Sequence, residues 1–149
     1  LKPDLIAFLG CDMVYGTSTG DSSHFYGQGT PDPLREDVTL QSLEAKSVRF
    51  MALAQAHRCA VVNLSELSES RLLFPRVSGI ALGTPSVCQN RLQRQGELLN
   101  AAGVARALQA EKDLGYMVAS GRYWEHAAEL DKTKLSDIDS LWLQAIRAA

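Results

Sequence analysis

Asp4-Leu-Ile-Ala-Phe-Leu-Gly10 and Cys59-Ala-Val-Val-Asn-Leu-Ser65 are the two short apolar runs on which the fold turns. Leu5 to Leu9 is apolar without interruption, the pattern of a strand covered on both faces. The run from Cys59 reads the same way. Between them, Leu40 to His57 places Leu40, Leu43, Phe50, Met51 and Ala54 at helical spacing. Gln41, Glu44, Lys46 and Arg49 fall to the polar side, and Asp37 or Thr39 is placed to cap the helix. A strand, a helix and a second strand over this distance predict a βαβ unit with parallel strands and a right-handed crossover.

That unit fixes where a site belongs. In open parallel sheets ligands bind outside the carboxyl ends of the strands, where the loops emerge together. Gly10 ends the first run and Asp12 follows it. A long loop comes next, punctuated by Gly16, Gly20, Gly27, Gly29, Pro31 and Pro33, and a loop of such length inside a compact domain is usually functional or mobile. It carries His24, Tyr26 and Arg35. The second run delivers Asn63 and Ser65 to the same edge, where Arg71 and Arg76 either bring positive charge towards an anionic ligand or are solvated side chains.

Beyond the unit, Val77 to Pro85 reads as a third short extended piece bounded by Gly79 and Gly83. From Ser86 the pattern is helical. Asn90 to Asn100 is amphipathic, and Gly103 weakens helix continuity. Val104 to Ala119 offers Leu108, Leu114, Met117 and Val118 inward, with Gly115 as a defect or a break. Ser120 to Glu125 restarts a helix with Tyr123 and Trp124. Ser136 with Asp139 resembles a capping box ahead of Ile138, Leu141, Trp142, Ala145 and Ile146.

The 149 residues, 46% hydrophobic and 21% charged, are those of one globular domain able to bury a core. A net charge of −2 gives no electrostatic case for nucleic acid. No run approaches the roughly 18 apolar residues of a spanning helix. Cys11, Cys59 and Cys88 are odd in number and widely spaced. They read as reduced thiols of a cytoplasmic protein, Cys11 and Cys59 being buried in apolar runs. With no Cys-x-x-Cys pair and three isolated histidines, no structural zinc site is expected. Leu1 is followed at once by a strand, which reads as the start of an internal piece, so an N-terminal half or a second copy of the chain is the expected macromolecular partner.

The chemistry available at the edge is that of His24 as a general base oriented by a carboxylate such as Asp12. An ordinary loop histidine is the alternative. Arg35, just ahead of the helix, suits a phosphate or carboxylate, although Glu36 and Asp37 oppose it. The chain has no Gly-x-Ser-x-Gly elbow, no Walker A sequence and no Gly-x-Gly-x-x-Gly after a strand. The standard hydrolase, triphosphate and dinucleotide modes are therefore not supported.

His24-Phe-Tyr-Gly-Gln-Gly-Thr-Pro-Asp-Pro-Leu-Arg35, Leu43-Glu-Ala-Lys46, Val62-Asn-Leu-Ser65 and Ser70-Arg-Leu-Leu-Phe-Pro75 together resemble a group of uncharacterised bacterial and phage proteins. Those are similar to Rossmann-like glycosyltransferases of the sialyltransferase and motility accessory factor type. The resemblance covers residues 4 to 76 and implies a nucleotide-sugar donor held at strand ends. It implies Asp12, His24, Tyr26, Asn63 and Ser65 as site residues. The Gly-Pro-Ser type segment that such proteins carry near their start is absent. A second likeness, in Phe8-Leu-Gly-Cys-Asp12, Gly16-Thr17, Glu44-Ala-Lys46 and Ala60-Val-Val-Asn-Leu64, is to the sugar-phosphate effector domain of DeoR-type repressors. The insertion at 18 to 36 departs from that pattern, and no helix-turn-helix is visible.

The expectation is thus an α/β fold, a short parallel Rossmann-like sheet (βαβ, residues 1–85) with a helical C-terminal half (86–149). The expected function is a glycosyltransferase-like domain, with His24 and Asp12 catalytic and Tyr26, Arg35, Asn63, Ser65 and Arg71 holding the ligand. No metal or cofactor is expected. The ligand is a nucleotide sugar or, on the alternative reading, a sugar phosphate sensed by a regulatory domain. A non-catalytic interaction module is the third class, and an exposed Trp124 or Trp142 would favour it.

Overall fold

The computed structural model describes residues 2–12, 14, 42–83, 86–115, 119–122, 125–126 and 129–147. The element order is β1 (Leu5–Phe8), α1 (Leu43–Ala56), β2 (Ala60–Asn63), a 3-10 turn (Gly79–Gly83), then α2 (Val87–Leu98), α3 (Ala101–Leu114) and α4 (Lys132–Gln144). β1 and β2 pair in parallel, Leu5 opposite Ala60 and Phe8 opposite Asn63. The molecule is therefore α/β, with a short parallel sheet and a helical C-terminal half. Among the described residues no helix is long and apolar enough to cross a membrane.

The two strands are covered unequally. β2 is buried at all four positions, as its apolar run predicts. β1 is half-buried, with Ala7 exposed, and Leu9 beyond it is 72% exposed. The expectation of a first strand covered on both faces is met only in part: Ile6 and Phe8 pack on the main core and Leu5 on a smaller cluster with Val62 and Val77, while Ala7 and Leu9 are exposed.

On its other side β2 meets a substitute for a strand. The Asn63 N–H donates to the Pro75 carbonyl and the Val77 N–H to that of Asn63, both at 3.0 Å, so Arg76 forms a parallel bridge with Asn63. Two residues earlier the partner is a side chain. Gln95 of α2 accepts the Val61 N–H at 2.9 Å and donates to the Cys59 carbonyl at 3.1 Å. A residue on a parallel neighbour accepts and donates across one residue of β2 in the same way. The fully buried Gln95 amide thus stands where a third strand's peptide would, and it meets the need of buried backbone groups for partners. The expected extended piece at Val77 to Pro85 is corrected accordingly: the extended residues are 75–77, and Gly79–Gly83 coils into a 3-10 turn.

The core lies between α1, α3 and α4, with Val48, Met51, Leu135, Ile138 and Trp142 at its centre. Trp142 is fully buried, which withdraws the support an exposed Trp142 would lend to an interaction module; Trp124 lies outside the described residues. Trp142 Nε1 donates to Glu111 Oε1 at 2.7 Å, and Arg49 Nε reaches the same oxygen at 2.7 Å. One buried carboxylate therefore joins all three helices. Leu108, expected inward, is 38% exposed; Ala107 and Glu111 occupy the inner face instead. Met117 and Val118 lie outside the described residues.

Gly103 changes meaning, while Gly115 is the break, one of its two expected readings. Gly103 lies inside α3 without breaking it, and a Cβ there would lie 2.8 Å from the Ala145 Cα, so the missing side chain is what lets the chain after α4 approach. Gly115 ends α3 in the left-handed conformation, φ 73°, where glycine is unstrained. Of the helix expected to restart at Ser120 to Glu125, residues 119–121 form a turn and bend and Glu125 and His126 are 3-10, while Tyr123, Trp124, Ala127 and Ala128 lie outside the described residues. Helix α4 is capped by Asp131, which accepts from the Thr133 and Lys134 N–H groups, so Ser136 and Asp139 sit inside it and form no capping box there.

Candidate functional site at the carboxyl edge

The edge is built from the ends of β1 and β2 and from residues 64–76. Asp12 follows β1 by four residues, and its carbonyl accepts the Arg71 N–H at 3.2 Å. The Asp12 side chain is half-buried, and its Oδ1 is buried with no hydrogen-bond partner among the described residues. Beneath the edge, the rings of Phe8, Phe50 and Phe74 cluster, Phe8 to Phe74 at 5.0 Å and Phe8 to Phe50 edge-on at 5.6 Å.

Asn63 and Ser65 stand beside this edge, as their position at the end of β2 predicts, and both are engaged internally. Asn63 Oδ1 accepts the Ser65 N–H at 2.9 Å, while Nδ2 donates to Ser70 Oγ at 2.9 Å. Ser65 Oγ accepts the Leu67 N–H. Such local bonds are what Asx and Ser turns provide, and they set the path of residues 63–70.

Arg71 is partly exposed and is paired within the fold. Its Nε and Nη2 meet Glu44 Oε1 and Oε2 at 2.6 and 2.8 Å, a two-pronged pair between the edge segment and the first turn of α1. Burial raises the Glu44 carboxyl, but the hydrogen bond and charge of Arg71, with backbone and Ser42 contacts, outweigh it and hold the group below its ordinary value. Ser47 adds a second tie, accepting the Leu73 N–H at 3.1 Å. Arg76 folds back, donating to the carbonyls of Ser65, Leu67 and Ser68.

Ser42 caps α1 in place of Asp37 or Thr39, its hydroxyl accepting the Ala45 N–H; Asp37, Thr39 and Leu40 lie outside the described residues. So do His24, Tyr26 and Arg35. Of the seven expected site residues, Asp12, Asn63, Ser65 and Arg71 are therefore the ones placed, and all four lie on residues that form one edge. Cys11 beside them is exposed, contrary to its apolar context, because β1 ends at Phe8 and the chain leaves the sheet. Cys59 is buried as expected, and burial pushes its thiol up, with Asp4 and Cys88 adding to the shift.

Sequence reasoning missed Glu44 and Ser47 as builders of this edge. Both fall on an ordinary helix face, and only their three-residue spacing on the side that receives residues 71–73 would have marked them. No family model, curated protein or solved structure matches this chain.

Proposed function

We propose that this chain is a glycosyltransferase-like domain with a Rossmann-like α/β core, holding a nucleotide sugar at the carboxyl edge of its sheet. The observation that carries the reading is Asp12. A buried carboxylate oxygen without a partner is costly unless something completes it, and such atoms in native folds call for an explanation. Its place just past β1 is where parallel sheets receive ligands. A sugar hydroxyl donating to Asp12 Oδ1 satisfies both conditions. On this reading His24, Tyr26 and Arg35 serve the donor, with His24 as base. Asn63, Ser65 and the Glu44–Arg71 pair position the edge instead of touching the ligand.

The engagement of Asn63, Ser65 and Arg71 within the fold favours a second reading, binding without transfer, as in a sugar-phosphate-sensing regulatory domain. Thermal-shift measurements with CMP-, UDP- and GDP-sugars beside sugar phosphates separate the two, since a ligand bound only to the folded chain raises Tm. The proposal expects stabilisation by a nucleotide sugar that is reduced in Asp12→Asn, and transfer that is lost in His24→Ala. Stabilisation by sugar phosphates alone supports the regulatory reading, and no response to either class removes both.

A further inference from the structure

A groove of about 470 Å³, whose lining does not include Asp12, opens between residues 73–76, α2 and the chain after α4. Arg76, Arg91, Arg94 and Arg147 all line it. A chain of net charge −2 has thus gathered four of its 15 lysines and arginines around one concavity. Two described carboxylates answer them. Glu97 lies 3.4 Å from Arg94, both side chains being more than half exposed. The exposed Glu69 carboxyl is held below its ordinary value by the Ser68 hydroxyl and a backbone contact, with the charge of Arg76 adding to the effect. Arg76 and Arg147 are held by carbonyls, the latter by that of Glu97 at 3.3 Å. Carbonyl oxygens orient a guanidinium without cancelling its charge. Arg91 Nε is buried and has no acceptor among the described residues.

The rest of the lining is apolar, with Leu73, Leu98 and Ile146 contributing. The volume falls within the roughly 300–1,000 Å³ of small-molecule sites. A guanidinium fork matches phosphate oxygens in a two-pronged way that an ammonium does not. We infer that this groove binds a small organic phosphate, its phosphate or diphosphate among Arg91, Arg94 and Arg147 and its apolar body on Leu98 and Ile146. The inference stands on the groove alone and is independent of the nucleotide-sugar reading at Asp12.

The test is calorimetric titration and thermal shift of the full chain with ADP, UDP, pyrophosphate and uncharged uridine, at low and high salt. The expected result is binding of the phosphates, weakened by salt, and none of uridine. The double variant Arg94→Gln/Arg147→Gln, at exposed positions, is expected to lose about tenfold or more in affinity, as removal of charge-assisted hydrogen bonds predicts. Asp12→Asn is expected to leave this binding unchanged, which separates the groove from the carboxyl edge. Should the double variant fail to fold, Arg94→Lys/Arg147→Lys keeps the charge, removes the forks, and is expected to weaken binding by less. No binding of any phosphate probe overturns the inference, as does binding unaffected by both double variants. Capture of a hexaglutamate peptide in place of the phosphates overturns it too, assigning the groove to an acidic peptide.

Discussion

The Asp139 carboxylate of α4 accepts the backbone N–H of Ser42, the N-cap of α1, at 2.7 Å across 97 positions of sequence. In a capping box the residue three after the cap reaches back to that N–H. Here that position is Ala45, which cannot, and a different helix supplies the acceptor. Burial pushes the Asp139 carboxyl up, against the pull of the Ser42 N–H and Lys46, and Glu44 adds to the rise.

Asp139→Ala leaves the Ser42 N–H without its acceptor and is expected to lower stability by about 1 kcal/mol, the usual size of a lost cap. Asp139→Asn keeps an acceptor and buries no charge. A group whose folded pKa lies above its unfolded value favours the fold most below the unfolded pKa, and that contribution is lost as pH rises through the folded pKa. Asp139→Asn is therefore expected to match the parent in acid and to equal or exceed it at neutral pH. Urea unfolding at both pH values checks this, and an Asn variant weaker than Ala at pH 7 contradicts it.

The Glu44–Arg71 pair has the opposite sign. Its carboxyl is held below the ordinary value, so its contribution is present above the unfolded pKa, near 4.5, and is lost as pH falls through the folded value. Both side chains are partly exposed, so the loss in Glu44→Gln is expected to stay at or below about 1 kcal/mol at neutral pH. The informative readout is the difference in stability between parent and variant, which should shrink as pH falls below the unfolded value and vanish once the folded Glu44 carboxyl is itself protonated. A constant difference across the range would exclude the ion pair as its source.

Glu111 joins Trp142 and Arg49 and is 3% exposed. Glu111→Ala strands both donors, and a loss of about 3 kcal/mol or more is expected, as for other broken buried pairs. Glu111→Gln keeps an acceptor for Trp142 and should cost less. Near-ultraviolet circular dichroism should show the indole environment altered in Ala more than in Gln; equal spectra and stabilities would deny Glu111 this role.

Gly103→Ala sets a methyl against the Ala145 backbone at 2.8 Å, where no flexible side chain can yield. An isolated helix gains from this substitution. Here overpacking is expected to win, with a loss of about 1–3 kcal/mol. A melting temperature equal to or above the parent would contradict the contact.

The parallel unit was legible because its signals are local: two unbroken apolar runs with a helical stripe between them dictate strand, helix, strand. Asn63 and Ser65 could be placed at the edge for the same reason. What escaped was tertiary substitution, in which a residue from elsewhere does a local job. Asp139 looked like half of a box within α4 because Ser136 sits three residues before it, yet its acceptor serves α1. Arg71 and Glu44 lie 27 residues apart with no periodicity linking them. Gln95, on a polar stretch of α2, gave no sign that it would complete a sheet, and of the groove arginines only Arg76 was marked, because its meeting with Arg91 and Arg94 of α2 and with Arg147 is tertiary.

Because the Gln95 amide grips Cys59 and Val61 at once, α2 has no freedom to slide along β2: any shift of more than a fraction of a residue rise breaks both bonds together. Arg91 sits one turn before that clasp, and Leu98 almost one turn after it. The helix is indexed to the strand like a key cut to one notch, and the position of its arginines is set by the backbone of the sheet.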